Sequence, residues 1–271
     1  MGSASIEFGL YVLILVVIVL ALVQFFSGRA FRARALSLAA RLRDGPKAAD
    51  LSGLPVEVTE YARRAGAEPG TGLRVMSLVV DGEERAGGTL RPFEGWQVMA
   101  LGRGGYFSEV SRAFGSWPRD RMIEALIAGE GLRDGRRLVS LILDRAGGPD
   151  MTLAAAYRYL ADLPWAPDAM IGNPALTWST KAEGAVLVSL PTPAGEARAG
   201  FVLDEAGDIR SMSAADVPDG RGGRADWRAS YDDYDSVGPR RLPRSVEITA
   251  SGPAGTVVLR RARLREVHLS A

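Results

Sequence analysis

RSVEITASGPAGTVVLRRARLREVHL, Arg244–Leu269, is the stretch on which the fold turns. Two strand-like runs, Arg244–Ala250 and Thr256–Leu269, flank Ser251-Gly252-Pro253-Ala254-Gly255, a loop composition that continues neither strand nor helix. A connection this short joins antiparallel strands, because a parallel pair needs a crossover of about a dozen residues or more. The pattern recurs upstream. Arg198–Leu203 and Asp208–Ala214 are joined through Asp204-Glu205-Ala206-Gly207, and Gly95–Leu101 pairs with Tyr106–Phe114 around Gly102–Gly105. Leu73–Val80 ends in Asp81-Gly82, a dipeptide that tolerates positive φ and predicts a tight hairpin turn. Leu138–Leu143 and Ala185–Leu190 read as further strands, and Pro218–Arg224 as the most mobile loop.

Three helical patterns interrupt the strands. Val56–Ala65 is short and amphipathic. Arg119–Ala128 places Met122, Ile123, Leu126 and Ile127 on one helical face. Met151–Leu163 aligns Leu153, Ala156, Tyr157, Leu160 and Leu163 before Pro164 stops it. The expected class is therefore α+β: one N-terminal transmembrane helix, then a large curved antiparallel sheet with a few helices on one face.

Phe8–Phe26, FGLYVLILVVIVLALVQFF, carries no charge. As a helix it spans about 28 Å, one hydrocarbon core. A cleaved signal peptide would need a basic start and a small-residue cleavage site, and a buried core helix is rarely charge-free for so long. A retained anchor is the expectation. No base precedes the span, whereas Arg29, Arg32, Arg34, Arg41 and Arg43 follow it, so the positive-inside rule puts the N-terminus outside and the body in the cytoplasm of a bacterial inner membrane. Phe31, Ala35, Leu38 and Leu42 recur at helical spacing beyond the span. They fit either a helix lying along anionic lipid headgroups or a solvated basic linker. Gly45-Pro46 ends this segment. The resulting division is an anchor over 1–28, a basic juxtamembrane helix and linker over 29–53, and a β-rich domain over 54–271.

The 271 residues are 47% hydrophobic and 24% charged, with a net charge of +1. Residues 51–271 are slightly acidic, which argues against nucleic acid as a partner. Cysteine is absent, which removes disulfides, thiolate metal sites and cysteine nucleophiles. There is no GxSxG elbow, Walker loop, HExxH or helix-opening GxGxxG. His268, the single histidine, reads as a solvent-facing strand residue. No catalytic residue, cofactor or metal is expected.

Three segments are chemically richer. Tyr157–Asn173 runs a helix into Trp165 between two prolines, where the indole either rims a ligand cleft or packs the helix end onto the sheet. Asp226–Asp235, DWRASYDDYD, sets four carboxylates beside Trp227, Tyr231 and Tyr234, a further candidate groove rim, cation site or acid/base pair, although the DxDxDG spacing of calcium loops is absent. Carboxylate–arginine pairing explains the acids equally well. Arg260, Arg261, Arg263 and Arg265 form the third segment. On a strand the last three share one face at roughly 6.6 Å spacing, suited to headgroups or an acidic partner, or simply to a charge-blunted edge strand.

LPVEVTEYARRA (Leu54–Ala65), YRYLADLPWAPDAMI (Tyr157–Ile171), FVLDEAGDI (Phe201–Ile209) and WRASYDDYDSVGPRRLP (Trp227–Pro243) resemble a bacterial family of unknown function, DUF6544/DUF6920-like. Asp162 stands where that family usually has Glu, and the segment near Val56 lacks its second proline. The resemblance implies a half-barrel like that of the LolA lipoprotein carriers, with an apolar groove between sheet and helices. It implies no activity.

The expected function is a non-enzymatic, single-pass accessory subunit docked on an integral-membrane complex, redox or photosynthetic complexes among them. A tethered binder of lipid or another apolar ligand is the alternative, and a hydrolase using the Asp226–Asp235 carboxylates is a weaker one. Val12, Val16, Val19 and Val23 form a stiff β-branched ridge along the span, the expected contact with a partner helix.

Overall fold

The computed structural model describes residues 3–114, 117–137, 141–181, 185–253 and 255–271. Helix α1 runs unbroken over Ser3–Arg43 and is long and apolar enough to cross a membrane. After α2 (Val56–Arg64) the chain makes six strands: β1 (Val75–Ala86), β2 (Thr89–Ala100), β3 (Tyr106–Phe114), β4 (Trp117–Ile127), β5 (Glu130–Arg137) and β6 (Leu141–Ala146). Then come α3 (Pro149–Asp162), a 3₁₀ turn (Leu163–Trp165) and α4 (Pro167–Gly172). Seven strands close the chain: β7 (Thr177–Thr180), β8 (Val186–Thr192), β9 (Gly195–Leu203), β10 (Ile209–Pro218), β11 (Arg224–Val237), β12 (Arg240–Gly252) and β13 (Gly255–Ser270).

All thirteen strands form one antiparallel half-barrel sheet in the order β6-β5-β4-β3-β2-β1-β13-β12-β11-β10-β9-β8-β7. It is two hairpin meanders joined where the first strand meets the last. The chain leaves one edge at β6 and re-enters at the other edge, β7, so the helices between them must cross the concave face.

Those helices fill the trough. Tyr159, Leu160, Leu163, Trp165 and Met170 are buried against inward residues such as Met76, Leu78, Met99, Phe201 and Leu264. Aromatic donors satisfy carbonyls near the helix ends that have no intrahelical partner. Tyr231 Oη donates to Ala161 O (2.7 Å), and Tyr61 Oη donates to Pro164 O (2.8 Å). At Gly131 a Cβ would collide with Met151 O, so only glycine lets α3 lie this close to β5. The Gly131 amide donates to Thr152 Oγ1 across that contact (2.9 Å).

The opposite, outer face of β1–β5 carries a second core. Phe31, Ala35, Leu38, Ala39 and Leu42 pack on Val75, Val98, Ala100, Phe107, Ile123, Ala125 and Ile127. The apolar stripe after the span is therefore covered by the protein's own sheet. This corrects both expectations for it, a helix on headgroups and a solvated linker.

Three further expectations change. Arg119–Ala128 is not a helix; its residues up to Ile127 belong to β4, and Ala128 begins the turn after it. Ile123, Ala125 and Ile127 face the α1 stripe while Leu126 faces the concave core, and burial on both faces erases the period-2 alternation that marks a strand. Asp81-Gly82 is no turn, because β1 passes straight through it and turns at Gly87-Gly88, both at positive φ. Gly82 instead marks a close approach to β13, where a Cβ would strike Arg261 O. The β13 strand is also central rather than an edge. The expected strand at Leu138–Leu143 is described only from Leu141, since 138–140 lie outside the described residues. The Pro218–Arg224 loop is a tight turn in which Asp219 Oδ1 accepts from the amides of Arg221 (2.7 Å) and Gly223 (3.0 Å).

Candidate functional site

Strand alternation aims a set of polar side chains from β1–β5 and β13 into the concave face, beneath α3. Three of its ion pairs are made within the chain. Arg112 Nη2 lies 3.0 Å from Glu84 Oε1. Arg133 Nε and Nη2 donate to Glu124 Oε2 (3.0 and 2.9 Å). Arg158 Nε donates to Asp162 Oδ2 one helical turn later (2.9 Å). Tyr106 Oη donates to the Glu124 carboxylate, and Gln97 Nε2 donates to Ser108 Oγ (3.3 Å).

Arg260 differs from the other three arginines. It is 3% exposed, and its guanidinium carbon stacks 4.5 Å over the Phe93 ring. Its Nε and Nη2, the two donors on one edge of the guanidinium, have no hydrogen-bond partner. Arg158 Nη2, Glu84 Oε2 and Asp162 Oδ1 are likewise buried without partners. Among these residues lies a cavity of about 30 Å³ lined by Glu84, Tyr106, Ser108, Glu124, Arg158 and Arg260.

The electrostatics follow from burial and pairing. Burial, with Arg158 nearby, pushes the Arg260 guanidinium down to about 10. Burial also favours neutral Glu124, but Arg133, the Tyr106 hydroxyl and Arg158 outweigh it and hold the carboxyl below its usual range. Burial and the adjacent Glu124 raise the Tyr106 phenol well above its usual value, keeping it a donor.

The residues singled out in the sequence fall in several places. Trp165 is 1% exposed and donates Nε1 to Pro243 O (2.7 Å); Tyr231 is 2% exposed. Neither is on a groove rim, because both fill the space between the helices and β11–β12. Trp227 and Tyr234 are half-buried at the margin of that core, with Tyr234 Oη donating to Ile209 O (2.7 Å). The Asp226–Asp235 carboxylates do not converge: Asp226 caps the Asp216 amide, Asp232 pairs with Arg210 and Asp235 with Arg244.

Arg261 pairs with Glu247 (2.6 Å) and Arg265 with Asp81 (2.6 Å), while Arg263 is exposed between them on the outer face. His268 is solvent-facing, as expected. Arg34, expected at headgroups, instead reaches the buried Asp134 (2.6 Å). Arg32 is exposed, and Arg29 lies over the Phe25 ring at 5.8 Å. Val12, Val16, Val19 and Val23 stand exposed on α1.

Sequence reasoning grouped Arg260 with its neighbours and passed over Arg112, Arg158 and Glu84. A signal was present: Arg260 is in phase with the apolar Ala262 and Leu264, and Glu84 with Val80, Leu78 and Met76. A charge on the apolar face of a strand marks a buried polar site.

The chain belongs to a family of unknown function, DUF6544, whose model matches residues 45–261. Membership agrees with the resemblance read from the sequence. No curated protein matches the chain. Among solved structures, a LolA superfamily protein from Nitrosomonas europaea is similar, with 8% identity and a TM-score of 0.46 over 81% of this chain and 95% of that one. A DUF1329 family protein from Desulfovibrio piger is also similar, with 8% identity and a TM-score of 0.46 over 80% of this chain and 93% of that one.

Proposed function

We propose that this protein is a non-enzymatic, single-pass membrane protein whose half-barrel body is held in a fixed position against the bilayer as the accessory part of an integral-membrane assembly. The observation that carries this reading is the unbroken α1 helix, whose first half is a membrane-length apolar span and whose second half is built into the outer core of the body. A soluble shuttle needs a body free to leave the membrane. Here Leu38, Ala39 and Leu42 are at most 6% exposed, and the buried Asp134 holds Arg34 from the same helix. Removing the span from lipid would expose its apolar surface, and freeing the body from α1 would expose a core.

The alternative, a tethered binder of a lipid or other apolar ligand, is favoured by the half-barrel architecture. The packing of α3, the 3₁₀ turn and α4 into the trough weighs against it, since side chains occupy the volume an acyl chain would need. The basic residues following the span favour a cytoplasmic body.

Gentle detergent extraction of the native protein is the test. The proposed function predicts co-purification of integral-membrane proteins in fixed stoichiometry, lost or weakened when Phe8–Phe26 is replaced by leucines of equal length. A lone chain carrying bound lipid would favour the carrier. Orientation is read separately from Glu205→Cys, the only thiol in the chain, which an impermeant maleimide should leave unlabelled in intact cells.

A further inference from the structure

We propose that the cavity between α3 and the concave sheet is a binding site for a carboxylate, received on the empty Nε/Nη2 edge of Arg260 and completed by Arg158 Nη2. The charge count points there first. Arg112, Arg133 and Arg158 each have a carboxylate within 3.0 Å, in Glu84, Glu124 and Asp162, and Arg260 is the fourth cation with no carboxylate of its own. A guanidinium this deeply buried stays protonated at neutral pH, and an unpaired buried charge is costly unless an anion joins it.

Shape narrows the chemistry. Two parallel N–H donors on one guanidinium edge match the two oxygens of a carboxylate or phosphate. A volume of about 30 Å³ is small, which suits the flat head of a carboxylate better than the bulkier tetrahedral phosphate. Glu84 and Glu124 also line the space, but each already faces a guanidinium, and Glu124 in addition accepts the Tyr106 hydroxyl. The Phe93 ring fixes the Arg260 plane from one side, so the donor edge is preorganised. The Glu84 side chain is 22% exposed and the Arg133 side chain 16%, so the site is reached from the rim. The carboxylate can belong to a small free acid or to the head of a fatty acid whose chain lies outside the cavity.

The proposal concerns the body alone and stands or falls independently of the membrane assembly. The test is calorimetric titration of the purified full-length chain in a neutral detergent with acetate and with octanoate, in sodium sulfate at constant ionic strength. Saturable binding of at least one of them is expected. It should be lost in Arg260→Met, weakened at least tenfold in Arg260→Lys, which keeps the charge but not the bidentate edge, and unchanged in Arg263→Met on the outer face. Acetate binding alone identifies a free small acid, and octanoate binding at least tenfold tighter identifies a fatty acid head. Absence of saturable binding by either, binding indifferent to Arg260→Met, or chloride competing as well as acetate would each overturn the proposal.

Discussion

Two buried charges on opposite faces of the same sheet are treated in opposite ways. On the outer face Asp134 is 0% exposed and accepts from Arg34 (2.6 Å) and from Arg136 Nε and Nη2 (2.7 and 3.2 Å), with Arg145 at 3.8 Å. On the concave face Arg260 is 3% exposed and faces no committed carboxylate. The outer site closes its charge within the chain and, in doing so, clamps α1 to the body. The concave site leaves its charge open. A closed buried network rigidifies a structure, whereas an open one is stabilised by whatever completes it. The first is where this protein is held, and the second is where it has something left to bind.

The largest effect should come from the frame that both sites share. Trp165→Ala removes a fully buried indole and its hydrogen bond to β12, and should cost about 3–5 kcal/mol in denaturant unfolding followed by circular dichroism. An unchanged midpoint would mean the α3–α4 turn is not fastened to the sheet. Asp134→Ala should cost about 3 kcal/mol, because it strands the Arg136 guanidinium and releases Arg34. Leu38→Ala removes a buried contact of α1 with the sheet and should cost about 2–3 kcal/mol. Arg260→Met is the contrasting case: replacing an uncompensated buried cation with an apolar side chain of similar length should leave stability within about 1 kcal/mol of the parent or raise it in anion-free buffer. A loss comparable to that of Asp134→Ala would show that Arg260 has a partner inside the chain, and the contrast between the faces would collapse.

Much of the sheet was legible in the sequence because hairpin loops such as Ser251–Gly255 and Asp204–Gly207 are local signals. The membrane-length span and the helix ending at Asp162 were legible for the same reason. Legibility failed where a residue's environment depends on distant chain. The α1 stripe of Phe31, Ala35, Leu38 and Leu42 was visible, but nothing local distinguishes lipid from the outer face of a sheet built much further along the chain. The β4 strand is hidden in the sequence for the same reason, since α1 covers the face that would otherwise be polar. Bulges added a second difficulty. The register between β1 and β13 shifts at Val79/Val80, so inward positions on β13 pass from Ala262 and Leu264 to Val267, and simple alternation loses its phase. Arg260 lies on the regular side of that shift, which is why its apolar phase was readable.

Packed through Leu38, Leu42 and the Arg34–Asp134 pair, α1 and the body should move as one piece. With no native cysteine, spin labels at Phe26→Cys, exposed near the end of the span, and Glu130→Cys, exposed at the β4–β5 turn, report it directly by pulsed electron resonance in lipid nanodiscs. A docked helix predicts one narrow distance distribution that broadens when Asp134→Ala and Leu38→Ala are combined. A broad distribution in the parent chain, unchanged by those substitutions, would contradict it.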